Sequence, residues 1–234
     1  MDSRARLTRY QQIREALPDL FVNPPDAPVE ILTDTEEIGE AETEAMRRSA
    51  AHGHPPEWGH LGVVFEDPYG ITLRDAVRGP NGQRGTYIRR INPGNAPGVV
   101  ILPQHPDGII LIRHFRHSTR EWHLEFPRGF GTPGGRPDAD ARRELLEEIG
   151  ARADTLTSLG VVHPDTGQTA TSVHLYHAEI SEYRLADEDE GIGAVEPVSP
   201  GELTDLIRTG TVTDGFTIAA YTRALLQGLL PTPD

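Results

Sequence analysis

Between Gly98 and Phe115 the apolar residues fall into two runs, VVIL and IILI, separated by the turn His105-Pro106-Asp107-Gly108. Short apolar runs bounded by turn residues predict a pair of strands. Upstream, LGVVFEDPYGITLRDAV predicts two more strands around Asp67-Pro68, and GTYIRRI alternates as a strand does. Downstream, strands are expected over 156–162, 173–180 and about 194–198. Helical spacing appears over 7–17, ended by Pro18 and Asn23-Pro24-Pro25, and over the Ala/Glu-rich 35–51, closed by HGHPP. Three further helices are expected at 137–149, 200–208 and 216–228, the last with Asp214 as its cap. The pattern predicts an α+β chain, a mixed β-sheet flanked by helices. It also suggests a boundary near residue 58, with a helical amino-terminal extension (1–58) and a main domain (59–234).

Composition narrows the function. The chain has 234 residues, 36% hydrophobic and 25% charged, with no apolar run near the ~20 residues that would span a membrane. The segment MDSRARLTRYQQIREAL lacks the apolar centre of a secretory leader, and there is no cysteine, so a cytoplasmic location is expected and a thiolate nucleophile is excluded. The net charge of −14 repels a nucleic-acid backbone, so no nucleic-acid partner is expected. A small anionic phosphate substrate remains compatible if a divalent cation neutralises the site. No G-x-S-x-G elbow is present, and the ten histidines show no metal-binding spacing. His114 and His117 are read as strand and turn residues, and Trp122 as core.

The chemistry concentrates in Glu125–Ala151, EFPRGFGTPGGRPDADARRELLEEIGA. Pro137 suits a first helical turn, and Asp138 and Asp140 suit the positive end of the helix dipole. At ~100° per residue, Ala141, Leu145, Leu146 and Ile149 are expected on one side, and Glu144, Glu147 and Glu148 together about a third of a turn away. Like charges at this spacing destabilise a helix by ~0.2–0.5 kcal/mol per pair. Arg142 and Arg143 relieve part of that, and a hard cation such as magnesium would relieve more. Gly129, Gly131, Gly134 and Gly135 form a tight loop before the helix, of the kind that brings backbone close to phosphates, and Gly150 stops the helix.

This segment resembles the Nudix box, G-x5-E-x7-R-E-U-x-E-E-x-G-U, where U is bulky and apolar. Gly129, Arg143, Glu144, Leu145, Glu147, Glu148 and Gly150 match; Gly135 stands where the box has its first glutamate, and Ala151 where it has a bulky residue. The resemblance implies a Nudix fold, an α/β/α sandwich, with Glu144 and Glu148 as metal ligands and Glu147 assisting. The missing glutamate would pair with Arg143. ILIRHFRHSTREWHLEFPRGF is similar to the segment before the box in the ADP-ribose pyrophosphatase branch. That likeness implies Arg116, with Gly129, on the substrate, and Glu125 and the Arg128 carbonyl at the metal. Pro164 lies near a proline of that branch, and Glu188 and Glu190 both match the acidic loop that positions water. The implied protein is a Mg2+-dependent (or Mn2+-dependent) pyrophosphohydrolase of a nucleoside diphosphate linked to a second moiety, with ADP-ribose, cleaved to AMP and ribose 5-phosphate, leading. A homodimer paired through the amino-terminal region is expected. The alternative, supported by Gly135, is a nucleotide sensor on the same fold without turnover.

Overall fold

A computed structural model describes residues 3–185 and 191–231. The chain forms two units: 1–95 with 165–171, and 96–164 with 172–234. The first unit is thus longer than the 58-residue extension expected. The composition changes near 58, but the strands that follow pack with the helices before them.

In the first unit, α1 (Ser3–Ala16), β1 (Glu30–Ile31) and α2 (Thr35–Ala51) precede β2 (Gly62–Asp67), β3 (Gly70–Arg78) and β4 (Arg84–Ile91). All pairings are antiparallel: β3 takes β4 along one edge, and β2 and β1 along the other. Tyr10 and Ile13 of α1 join Phe21, Val63, Ile71, Leu73 and Ile91 in one core. Ile38 and Ala41 of α2 join Leu32, Leu61 and Ala76 in another. Within the first core the Tyr10 hydroxyl donates to the buried Asp75 at 2.5 Å, and Arg89 pairs with Asp75 at 2.7 Å. Burial, then the charge of Asp75, raises the Tyr10 pKa, so the hydroxyl keeps its proton. Residues 165–171 return here: the Arg90 amide donates to Gln168 O at 2.7 Å, and Ala170 N to Arg90 O at 3.2 Å.

The second unit holds a seven-stranded mixed sheet. Its strands are β5 (Gly98–His105), β6 (Gly108–Arg116), β7 (Glu121–Glu125), β8 (Arg128–Gly129), β9 (Ala153–Val162), β10 (Val173–Ile180) and β11 (Ile192–Val198). The order is β11-β6-β5-β10-β9, with β7 on β6 and β8 on β5; among the described residues only β5 and β10 run parallel. Alternation along β5 and β6 separates two cores. Val99, Ile101, Ile110 and Ile112 meet Ala141, Leu145 and Ile149 of α3 (Pro137–Ile149). Val100, Leu102, Ile109 and Leu111 meet Leu203 of α4 (Pro200–Arg208) and Ala220, Tyr221 and Ala224 of α5 (Gly215–Leu226). This is the expected sheet between helices. No helix among the described residues is long and apolar enough to cross a membrane.

The elements follow the sequence pattern closely, with α1 starting four residues before the expected Leu7. Leu146 is a correction. It is 42% exposed, because the inward stripe of α3 runs through 141, 145 and 149 and continues into 144 and 148. Leu145, by contrast, is fully buried. Leu145→Ala is expected to cost about 2–5 kcal/mol in urea unfolding, whereas Leu146→Ala is expected to change stability by less than about 1 kcal/mol.

Candidate active site

Two residues of β8, Arg128 and Gly129, organise the site, because three buried glutamates converge on them. Glu125 ends β7 with no exposure, and Glu144 and Glu148, one turn apart on α3, are 7% and 1% exposed. The Arg128 amide donates to Glu148 Oε2 at 3.1 Å, and the Arg128 guanidinium lies 3.3 Å from Glu125 Oε2. At Gly129 there is no room for a side chain: a Cβ there would overlap the Glu144 carboxylate. The first box glycine thus lets the Glu144 carboxylate approach the β8 backbone closely, and its φ is not in the left-handed region.

Burying carboxylates is costly unless each is paired, and arginines supply most of the pairing. Arg116 grips Glu125 through both Nε (3.1 Å) and its terminal nitrogen, and His114 Nδ1 lies 3.4 Å away. Burial alone would raise the Glu125 pKa; the nearby His114 ring, the hydrogen bonds from Arg116 and the charge of Arg128 outweigh it and hold the carboxyl below its ordinary range. Arg143 pairs with Glu144 and Glu147, each at 2.7 Å, and donates to Phe130 O at 2.9 Å, tying α3 to the loop. Its pKa is raised: burial opposes this, and Glu144 and Glu147 prevail. Arg142, expected to share in neutralising the glutamates, instead caps the carbonyl of Ala153 at 2.9 Å.

Supports of the site extend to α5. Asp214, at its N-cap, accepts from Thr217 N at 2.9 Å and Thr217 Oγ1 at 2.8 Å, and pairs with Arg128 at 2.9 Å. The Thr217 hydroxyl oxygen accepts the Phe126 amide at 3.0 Å. The sequence marks Asp214 as a cap and carries no local sign of its pairing with Arg128 or of the Thr217 contact, since both partners lie some 90 residues away.

Several expectations are thereby located. Arg116, Glu125, Arg128, Gly129, Arg143, Glu144 and Glu148 are gathered. Glu147 departs from the expected carboxylate trio, facing outward with its partner Arg143, while its two neighbours are buried. Glu188 and Glu190 lie outside the described residues. Pro164 is exposed beyond β9. Trp122, expected in the core, is 46% exposed, packed edge-on to Phe115 with the Arg113 guanidinium 4.8 Å from its ring centre. His117 contacts Arg120 at the turn. Ala151 is fully buried below α3, so its small side chain still serves the core. Gly150 takes the left-handed torsion (φ 59°) that ends the helix, its amide donating to Leu146 O at 3.1 Å.

Carboxylate oxygens from one helix face are the donors a hard divalent cation prefers, and Glu144 and Glu148 fit such an ion. Among the described residues, however, no three acidic or histidine side chains stand together as a ready metal cage. Glu125 is held by Arg116 and Arg128, and would add to Glu144 and Glu148 only on releasing them.

Comparison with known proteins agrees with this geometry. Residues 94–216 match the NUDIX domain family. ADP compounds hydrolase NudE of Escherichia coli (strain K12) is 40% identical over 79 residues, 34% of this chain and 42% of that protein, so the match spans less than half its length. GDP-mannose pyrophosphatase of Citrobacter koseri is 27% identical over 170 residues, 66% of this chain and 87% of that protein. ADP-sugar pyrophosphatase of Mus musculus is 34% identical over 92 residues, 37% of this chain and 42% of that protein. A crystal structure of ADP compounds hydrolase superposes with a TM-score of 0.61 at 26% identity, covering 71% of this chain and 91% of that one.

The crowding at Gly129 gives a direct check. Gly129→Ala is expected to push the Glu144 carboxylate from its place, weakening Mn2+ binding in calorimetric titration by at least about tenfold while the circular dichroism spectrum stays unchanged.

Proposed function

Because this chain belongs to the Nudix family, we propose that it hydrolyses the pyrophosphate bond of a nucleoside diphosphate joined to a second moiety. The observation that carries the reading is the convergence of Glu125, Glu144 and Glu148 on Arg128-Gly129, three buried carboxylates at the end of a glycine-rich loop. Similarity to ADP compounds hydrolase and ADP-sugar pyrophosphatase favours an ADP-linked substrate, with ADP-ribose first. Similarity to GDP-mannose pyrophosphatases keeps a GDP-sugar as the second choice.

Glu144 and Glu148 would hold a divalent cation, Mg2+ or Mn2+, with Glu125 and the Arg128 carbonyl as further donors. When bound, such an ion neutralises phosphate charge and acidifies water. The chain's own residues do the rest. Arg116 is the cation for a phosphate oxygen. Arg143 keeps Glu144 and Glu147 in register with the loop through Phe130 O. Glu188 or Glu190 receives the proton of the attacking water. The water oxygen bonds to phosphorus, the bridging P–O bond breaks and, for ADP-ribose, AMP and ribose 5-phosphate leave. We further propose that the protein acts as a homodimer in the cytoplasm.

Turnover of ADP-ribose, GDP-mannose, NADH, dinucleoside polyphosphates and coenzyme A should be followed chromatographically with and without Mg2+. Mg2+-dependent cleavage of ADP-ribose is expected; binding of a nucleotide without cleavage by any condition would point to a sensor instead. Glu148→Gln should abolish turnover with the fold intact, and a normal rate in that variant would remove the assigned metal site. Replacing Glu188 and Glu190 together by Gln should slow hydrolysis roughly 10²–10⁴-fold with Mn2+ affinity retained, and an unchanged rate would take that loop out of the mechanism.

A further inference from the structure

The loop before α3 is fastened by a carboxylate that the proposed chemistry leaves unused. Asp140 is 5% exposed. Its Oδ2 accepts the Thr132 amide at 3.0 Å, and its Oδ1 accepts the Thr132 hydroxyl at 2.7 Å. The same Oδ1 lies 3.5 Å from a terminal nitrogen of Arg143. Burial works against its charge, but the two hydrogen bonds from Thr132 and the nearby Arg143 prevail, so the carboxyl stays ionised through the neutral range.

Thr132 is also where the loop turns, since its carbonyl accepts the Gly135 amide at 2.8 Å. The turn is tight: a Cβ at Gly135 would stand 2.9 Å from both Thr132 O and Thr132 Cβ, and 3.5 Å from Asp140 Oδ2. The absent glutamate and the buried aspartate therefore occupy one small region. A carboxylate reaching Arg143 from the helix removes the need for one from the loop, and the turn that binds it leaves no space for a side chain at 135.

We propose that Asp140 is a positioning residue that stands in for the box glutamate missing at Gly135. It anchors the loop at Thr132 and sets Arg143, which in turn holds Phe130 O at 2.9 Å and Glu144 at 2.7 Å. Asp140 touches no reacting atom; it acts through Arg143 on Glu144. The catalytic consequence rests on the hydrolase reading, but the positioning does not.

Asp140→Asn keeps the shape and removes the charge. In the metal-free protein it should speed amide exchange at Thr132 at least about tenfold and weaken Mn2+ binding by about tenfold or more. In turnover it should lower kcat by about tenfold or more while KM moves less than about twofold. Gly135→Glu alone should slow the enzyme, because the turn is closed against a side chain. Once Asp140→Asn has weakened the bonds to Thr132, the turn can open for the new side chain, so the double variant should exceed Asp140→Asn alone in kcat and Mn2+ affinity by at least about threefold. A purely structural role for Asp140 would lower thermal stability without this reversal of sign. Unchanged Thr132 exchange and Mn2+ affinity in Asp140→Asn, or a double variant no better than Asp140→Asn, would overturn the proposal. A wild-type protein inert toward every nucleotide would count against the hydrolase reading, and the exchange and Mn2+ measurements would still decide the case of Asp140.

Discussion

The candidate site of the second unit depends on the burial of negative charge. Glu125, Glu144 and Glu148 are almost wholly removed from water, and Asp140 stands beside them. A carboxylate so placed must be paired, or it forces the local structure to open or to take up a proton. Arg116, Arg128 and Arg143, with the amides of Arg128 and Thr132, provide that pairing. Arg128 does most, since its amide serves one glutamate, its side chain another, and the same guanidinium reaches Asp214 and lies over the Phe216 ring.

Such an arrangement tolerates little movement, and the sheet provides the rigidity. Val99 and Val100 pair with Gly129 and Arg128, so β8 is fixed by the central strand β5 itself. The side chains of Val99 and Val100 point into opposite cores, one against α3 and one toward α4 and α5. Displacing β8 would therefore disturb both layers. Glu144 and Glu148 are set in turn by Leu145 and Ile149, which lock the rotation of α3 against the sheet. Packing at 145 and 149 thus determines where the carboxylates at 144 and 148 point.

The long elements were legible because their cues are local. α3 begins at Pro137 and ends at Gly150, and its i, i+4 stripe is plain in the letters; the strand pair β5–β6 is plain in its two apolar runs. The box residues were legible through resemblance, since seven buried or exposed letters of RRELLEE do not separate a metal site from an amphipathic helix. What escaped was non-local. β8 is two residues long and exists through its pairing with β5. Asp140 looked like a favourable charge at a helix start; its bonds to Thr132 require the loop to fold back over eight residues. Helix and strand compositions differ near 58, which is what the letters show, whereas the first unit continues past it because Tyr10, Asp75 and Arg89 join across that point.

The return of residues 165–171 to the first unit has a topological consequence. The chain passes between the two units at 95/96, 164/165 and 171/172, three times in all. An ordinary fused domain is crossed once and can be gained, lost or exchanged as a continuous block. Here the edge partner of Arg90 is carried inside the sequence of the other unit, between β9 and β10. No single cut of the chain can therefore release either unit with all of its residues: a break at 95/96 still leaves 165–171 on the other piece.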